Sequence, residues 1–225
     1  MSGALVLFDI DGTLLRKSGP HHRLALVDAI RLVTGHPTTT DNIPLQGMLD
    51  RDIVTAMLAN SGAPPRLIEE AMPAIVAQAQ FLYGMRCPDL RSKVCPGARM
   101  LLYRLFRRHI PAGLVTGNLT NIGWKKMERA GLKHYLQFGA FAEQGRTRAD
   151  LVRIAIAEAR GRGLATGVIS LIGDHPNDIA AAKANGIRSI AVATGVEPAS
   201  VLRAHNPDIL VDTLHELRPE RLLAH

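Results

Sequence analysis

From Pro96 onward the chain alternates short apolar runs with helical patterns, and this alternation constrains the fold more than any other feature. Residues 112–116, 138–141, 168–172, 189–192 and 209–211 read as strands, with helical periodicity over 98–108, 121–130, 149–160 and 177–185 between them. Strands separated by helices predict a parallel sheet covered by helices on both faces. The apolar run at residues 4–7 supplies a further strand that belongs with this region.

The intervening segment is of another kind. Strand signals are absent from residues 16–92, where helical patterns cover 20–34, 50–60 and 65–83, stopped by Gly35, Gly62 and Gly84. Pro73 is expected to kink or split the third of these. The edges, Ser18-Gly19-Pro20 and Val94-Cys95-Pro96-Gly97, read as hinges. The expected organisation is therefore an α/β core of residues 1–15 and 95–225 with an all-helical insertion at 16–94. With 47% hydrophobic but only 4% aromatic residues, the core must be built from Leu, Ile, Val, Ala and Met, which suits helix-on-sheet layers.

The first strand ends in Phe8-Asp9-Ile10-Asp11-Gly12-Thr13-Leu14. Two carboxylates at spacing two on extended backbone point to one side, and Gly12 lets the chain turn away. Such a pair repels unless a divalent cation, a shared proton or a reacting electrophile compensates it. Ligands of open parallel sheets lie beyond the carboxyl ends of the strands. Two more predicted strands end in polar groups, at Thr116-Gly117-Asn118 and at Gly173-Asp174-His175-Pro176-Asn177-Asp178. All three ends converge on one edge of the sheet, which predicts a composite site.

Taken together, Asp9-Ile10-Asp11-Gly12-Thr13-Leu14, Val115-Thr116-Gly117-Asn118 and Gly173-Asp174 with Asp178 resemble the haloacid dehalogenase superfamily of aspartate-dependent phosphohydrolases, and in particular its phosphoglycolate-phosphatase-like members. The resemblance implies a Rossmann-like core and makes the helical insertion a cap domain. It implies that Asp9 is the nucleophile, forming an aspartyl-phosphate, and that Asp11 is general acid and then general base. It further implies Mg²⁺ held by Asp9, the Asp11 backbone carbonyl and Asp174, with Asp178 supporting the metal or its waters. Thr116 and the backbone N–H groups of Gly117 and Asn118 would grip the phosphoryl oxygens. The superfamily usually adds a lysine ahead of the helix before the last motif. This chain has no lysine between Lys133 and Lys183, and Arg148 is the best match, with Arg146 second. In the insertion, Gln46-Gly47-Met48-Leu49-Asp50-Arg51 resembles a substrate-facing helix start, which nominates Arg51, while His21 and His22 follow the first hinge and nominate His21 as a further substrate contact.

The expected activity is a Mg²⁺-dependent phosphatase of a small phosphorylated metabolite. The alternatives are a phosphosugar mutase using the same core residues and a non-catalytic phosphate- or metal-binding regulatory protein. Asp11 argues against a dehalogenase, whose halide leaves without a proton, and the absence of lysine from residues 18–92 argues against a Schiff-base phosphonate hydrolase. A formal charge of +7, from 27 basic and 20 acidic residues, could attract anions. The basic residues are scattered, as in the short Lys125-Lys126 cluster, and lack the aromatic interleaving that stacks bases, so nucleic acid is not an expected partner. Residues 1–10 fit neither a signal peptide nor a membrane span, so the expected location is the cytoplasm. Cys87 and Cys95 are too few for a disulfide framework and read as reduced thiols.

Overall fold

In the computed structural model, residues 4–16, 19–164 and 167–223 are described; Ser18, the first residue of the expected hinge Ser18-Gly19-Pro20, lies outside them. The elements follow in the order β1 (Ala4–Phe8), α1 (His21–Thr34), α2 (Asp50–Asn60), α3 (Pro65–Arg86), α4 (Ala98–Arg107), β2 (Ala112–Val115), α5 (Thr120–Arg129), β3 (Phe138–Ala140), α6 (Arg148–Gly161), β4 (Val168–Gly173), α7 (Pro176–Ala184), β5 (Arg188–Val192), α8 (Ala199–Ala204), β6 (Ile209–Val211) and α9 (Pro219–Leu223). The strands form one parallel sheet in the order β3-β2-β1-β4-β5-β6.

All five residues of β1 are buried, because the strand is central and both its faces are covered. Leu5 and Leu7 pack on one side with Leu151, Val152 and Ala155 of α6 and Ala181 and Ala182 of α7. Ala4, Val6 and Phe8 pack on the other with Leu101, Leu102 and Leu105 of α4 and Leu222 of α9. The alternation follows from the two-residue period of a strand.

Register places the strand ends level. Phe8 pairs with Leu114 on β2 and with Ile172 on β4, so Asp9, Val115 and Gly173 occupy the next level, and the Asp9 N–H still donates to the Ile172 carbonyl at 3.0 Å. The strand order reverses direction between β1 and β4, which opens a crevice at their carboxyl ends.

Helices α1 to α3 pack against one another through Ala25, Leu26, Ala29, Ile30, Ile75, Ala79, Leu82 and Tyr83, in a core continuous with the first face of the sheet. The expected break at Pro73 does not occur, and α3 runs through it as one 22-residue helix. Pro73 and Glu69, whose carbonyl the proline leaves without its helical donor, lie on the exposed side, open to solvent, while Met72, Ile75 and Ala79 hold the buried side in place. The two chain crossings between sheet and helices run side by side. Leu15 bridges Val94, the Arg16 N–H donates to Lys93 at 2.8 Å and the Cys95 N–H to Leu14 at 2.9 Å.

The segment before α2 is seated directly over the strand ends. The Asp50 N–H donates to the Gly117 carbonyl at 2.8 Å, and a Cβ on Gly117 would lie 2.3 Å from the Met48 carbonyl oxygen. The Asn177 amide donates to the Gly47 carbonyl at 3.0 Å. No helix among the described residues is long and apolar enough to cross a membrane.

Candidate active site

Three strand ends and one helix start deliver the polar side chains. Asp9 follows β1, Thr116 follows β2, and Asp174 follows β4. The chain then enters α7 through a reciprocal cap in which the Asn177 N–H donates to His175 Nδ1 at 3.1 Å and the His175 N–H to Asp178 Oδ2 at 3.2 Å. His175 thus shapes the turn that presents Asp174. At α6, Thr147 and Asp150 form a capping box, which sets Arg148 in the first turn facing the strand ends. The expected runner-up Arg146 is exposed and does not line the cavity at the strand ends.

Asp9, Asp174 and Asp178 are buried, and one carboxylate oxygen from each lies within 4.8 Å of the others. Arg148, only 9% exposed, donates from Nη1 to Asp9 Oδ1 at 2.9 Å and places Nε 3.3 Å from Asp178 Oδ1. One guanidinium against three carboxylates leaves two negative charges uncompensated. The effect is visible in proton affinity. Burial, with Asp178 and Asp11 adding to it against the pull of Arg148, raises the Asp9 carboxyl to about 7. Burial, with Asp9 and Asp178 adding to it, raises Asp174 to about 8, and burial raises Asp178 as well, against Arg148.

A divalent cation fits this cluster. The donors are all hard oxygens, the charge deficit matches, and buried Asp178 Oδ1 accepts no hydrogen bond. The cradle is built tightly on glycine: a Cβ at Gly12 would lie 2.1 Å, and one at Gly195 1.7 Å, from Asp174 Oδ2. Thr13 steadies the other oxygen, donating to Asp174 Oδ1 at 3.0 Å.

Asp11 is placed differently. Its carboxylate turns toward Asn118, whose amide donates to Oδ2 at 2.9 Å, and toward Lys126, whose ammonium donates to the same Oδ2 at 2.5 Å. Burial would raise this carboxyl, but the charge of Lys126 and the hydrogen bonds from Lys126 and Asn118 outweigh it, so Asp11 stays below the ordinary carboxylate range. Two neighbouring carboxylates thus have proton affinities driven apart by their surroundings.

Thr116 is fully buried, and its hydroxyl oxygen accepts from the Asn118 amide at 2.6 Å, which leaves its own proton to donate. The Asn118 N–H is directed back to that hydroxyl at 3.4 Å, so Asn118 braces the loop. The Gly117 N–H has no acceptor among the described residues.

These groups, apart from Asp178 and Thr13 behind them, line a cavity of about 820 Å³ roofed by the helices. Its lining includes Asp50 and Ile53 from α2 but not Arg51, which is exposed on the outer side. Likewise His22, and not His21, faces the cavity. In both cases the inward position is the neighbouring residue, because one step along a helix rotates a side chain by about 100°. Sequence reasoning missed Lys126 altogether. A signal existed: Ile122, Lys126 and Ala130 lie four apart, and the outer two are buried apolar residues, so the lysine sits on the inward stripe of α5.

The geometry agrees with the comparisons to known proteins. The chain is 27% identical over 221 residues to phosphoglycolate phosphatase 1 of Pseudomonas aeruginosa, covering 96% of this chain and 78% of that protein. Among solved structures it is similar to a β-phosphoglucomutase from Clostridium difficile, with TM-score 0.73, 18% identity and coverage of 96% and 94%. It is also similar to CbbY from Rhodobacter sphaeroides in complex with xylulose-(1,5)bisphosphate, with TM-score 0.69, 20% identity and 96% of each chain covered. At these identities the likeness shows the fold. The haloacid dehalogenase-like hydrolase family matches residues 6–192, and with its strand-end carboxylates and most of its length inside that match, the chain belongs to the haloacid dehalogenase-like hydrolases.

Proposed function

We propose that this hydrolase is a Mg²⁺-dependent phosphatase of a small phosphorylated metabolite, phosphoglycolate-phosphatase-like, working through an aspartyl-phosphate on Asp9. The observation that carries the reading is the buried cluster of Asp9, Asp174 and Asp178 with Arg148, at the floor of a cavity of metabolite size. Arg16, Arg23 and Lys93 line the same cavity against a single rim acid, Glu197, which favours an anionic ligand.

In this reading Asp9, Asp174, Asp178 and the Asp11 backbone carbonyl hold Mg²⁺. The ion would neutralise the carboxylates and the incoming phosphoryl oxygens. Asp9 Oδ1 is engaged by Arg148, so Oδ2 attacks phosphorus while the bond to the ester oxygen breaks. Asp11, ionised in the ligand-free protein, takes up a proton as the substrate binds and gives it to the departing alkoxide. The Thr116 hydroxyl and the Gly117 N–H donate to phosphoryl oxygens, with Asn118 holding Thr116 in place. Asp11 then takes a proton from water, the water oxygen bonds to phosphorus, and the bond to Asp9 breaks to release orthophosphate. Residues 16–94 act as a cap over the core of residues 1–15 and 95–225, excluding water during the first transfer and opening for the second.

A phosphate-release screen over phosphorylated metabolites with Mg²⁺ tests this. Wild type should release phosphate, and Asp9→Asn should not. Retained turnover in Asp9→Asn would end the covalent reading, and isomerisation of a sugar phosphate without net release would mark a mutase.

A further inference from the structure

We propose that Lys126 is a positioning residue that fixes which oxygen of Asp11 handles the proton. Lys126 is 1% exposed, a costly place for an ammonium unless each N–H is used. All three are. The ammonium donates to Asp11 Oδ2 at 2.5 Å and to Asn118 Oδ1 at 2.6 Å, and lies 3.2 Å from His22 Nδ1. With its donors exhausted, Lys126 has no proton left for a phosphoryl oxygen. It is therefore a different kind of cation from Arg148, which meets the nucleophile itself.

The consequence falls on Asp11. Lys126 and the Asn118 amide both bind Oδ2, while Oδ1 has no donor among the described residues and the side chain is 42% open to the cavity. One oxygen is anchored from behind, and the other faces the substrate. Asn118, bridging Lys126 and Asp11, makes the arrangement a closed triangle, so the carboxylate plane cannot rotate without breaking two hydrogen bonds.

The third acceptor comes from the helical block. His22 lies on α1, and since its Nδ1 accepts from the ammonium, its Nε2 donates to Asp50 Oδ2 at 2.9 Å. Asp50 also accepts from the Leu119 N–H at 2.8 Å on the core side. The seating of α1 and α2 thus supplies the last acceptor of the ammonium that holds Asp11, and His22 reports that seating to Lys126.

The proposal rests on reading Asp11 as the proton donor, and leaving-group dependence separates the two. A 4-nitrophenolate departs without a proton, whereas an alkoxide needs one. kcat/KM, which reports steps through the first phosphoryl transfer, is measured on both esters. Asp11→Asn should lose about 10²-fold or more on an alkyl phosphate and much less on 4-nitrophenyl phosphate. Lys126→Met should show the same selective loss, at least about tenfold greater on the alkyl ester, with Lys126→Arg between it and wild type. His22→Ala, which leaves the lysine in place, should shift selectivity in the same direction by a smaller factor, and it serves where Lys126→Met does not fold. Equal losses on both esters in Lys126→Met or His22→Ala, with Asp11→Asn selective, would overturn the positioning role and spare the reading of Asp11. An unselective Asp11→Asn would overturn both.

Discussion

Replacing Arg148 by Met should destabilise the metal-free protein, and by an amount that depends on pH. The guanidinium is nearly sealed from solvent and pairs with Asp9 and Asp178. Removing one partner of a buried ion pair costs about 3–5 kcal/mol. For a chain of this length each kcal/mol moves Tm by roughly 2–4 °C, so the loss near pH 8.5 should be about 6–20 °C. The pH dependence follows from the carboxyls. Asp9 and Asp174 bind protons more tightly in the folded protein, at about 7 and about 8, than at their ordinary value of 3.8. Their contribution to stability is complete below that ordinary value and is lost as pH rises through 7 and 8. Near pH 5.5 both are protonated in the metal-free protein, Arg148 has less charge to balance, and its loss should cost only about 1–2 kcal/mol. Without Arg148, which pulls all three carboxyls down, the decline toward alkaline pH becomes steeper. Urea unfolding in a chelator, followed by the single tryptophan, Trp124, measures this at both pH values. Added Mg²⁺ should restore more stability at the higher pH than at the lower. Equal destabilisation at the two values, or a loss below about 1 kcal/mol near pH 8.5, would refute the charge-compensation argument.

Gly195→Ala places a Cβ 1.7 Å from Asp174 Oδ2 and must displace that carboxylate. Mg²⁺ affinity by calorimetry should fall about tenfold or more, with a stability cost of roughly 1–3 kcal/mol. Asp50→Ala leaves the Leu119 N–H and His22 Nε2 without their acceptor. It should cost about 1–3 kcal/mol and speed amide exchange at Leu119, where the helices meet the strand ends.

Much of this protein was legible in its sequence because the signals are local. A buried strand shows as an apolar run, and strand-end carboxylates show at spacing two. The swap from alternating strand and helix to an all-helical stretch marks where the chain leaves the sheet. β6, at Ile209–Val211, and α2, at Asp50–Asn60, are found where their patterns predict them. Pro73 misled because a helix tolerates proline where the freed carbonyl meets water, and only packing decides which side that is.

The tertiary structure decided what depends on rotation and on distance along the chain. Whether His21 or His22, and Asp50 or Arg51, faces the cavity is set by how α1 and α2 seat on their neighbours, since adjacent helical residues differ by about 100°. The bond from Lys126 to Asp11 joins residues 115 apart, and only closing the sheet between β1 and β2 brings them together. Residue types and strand ends determined which carboxylates are present. The fold determined that Asp9 joins Asp174 and Asp178 as a cluster short of positive charge, while Asp11, two residues on, is held ionised by a buried lysine.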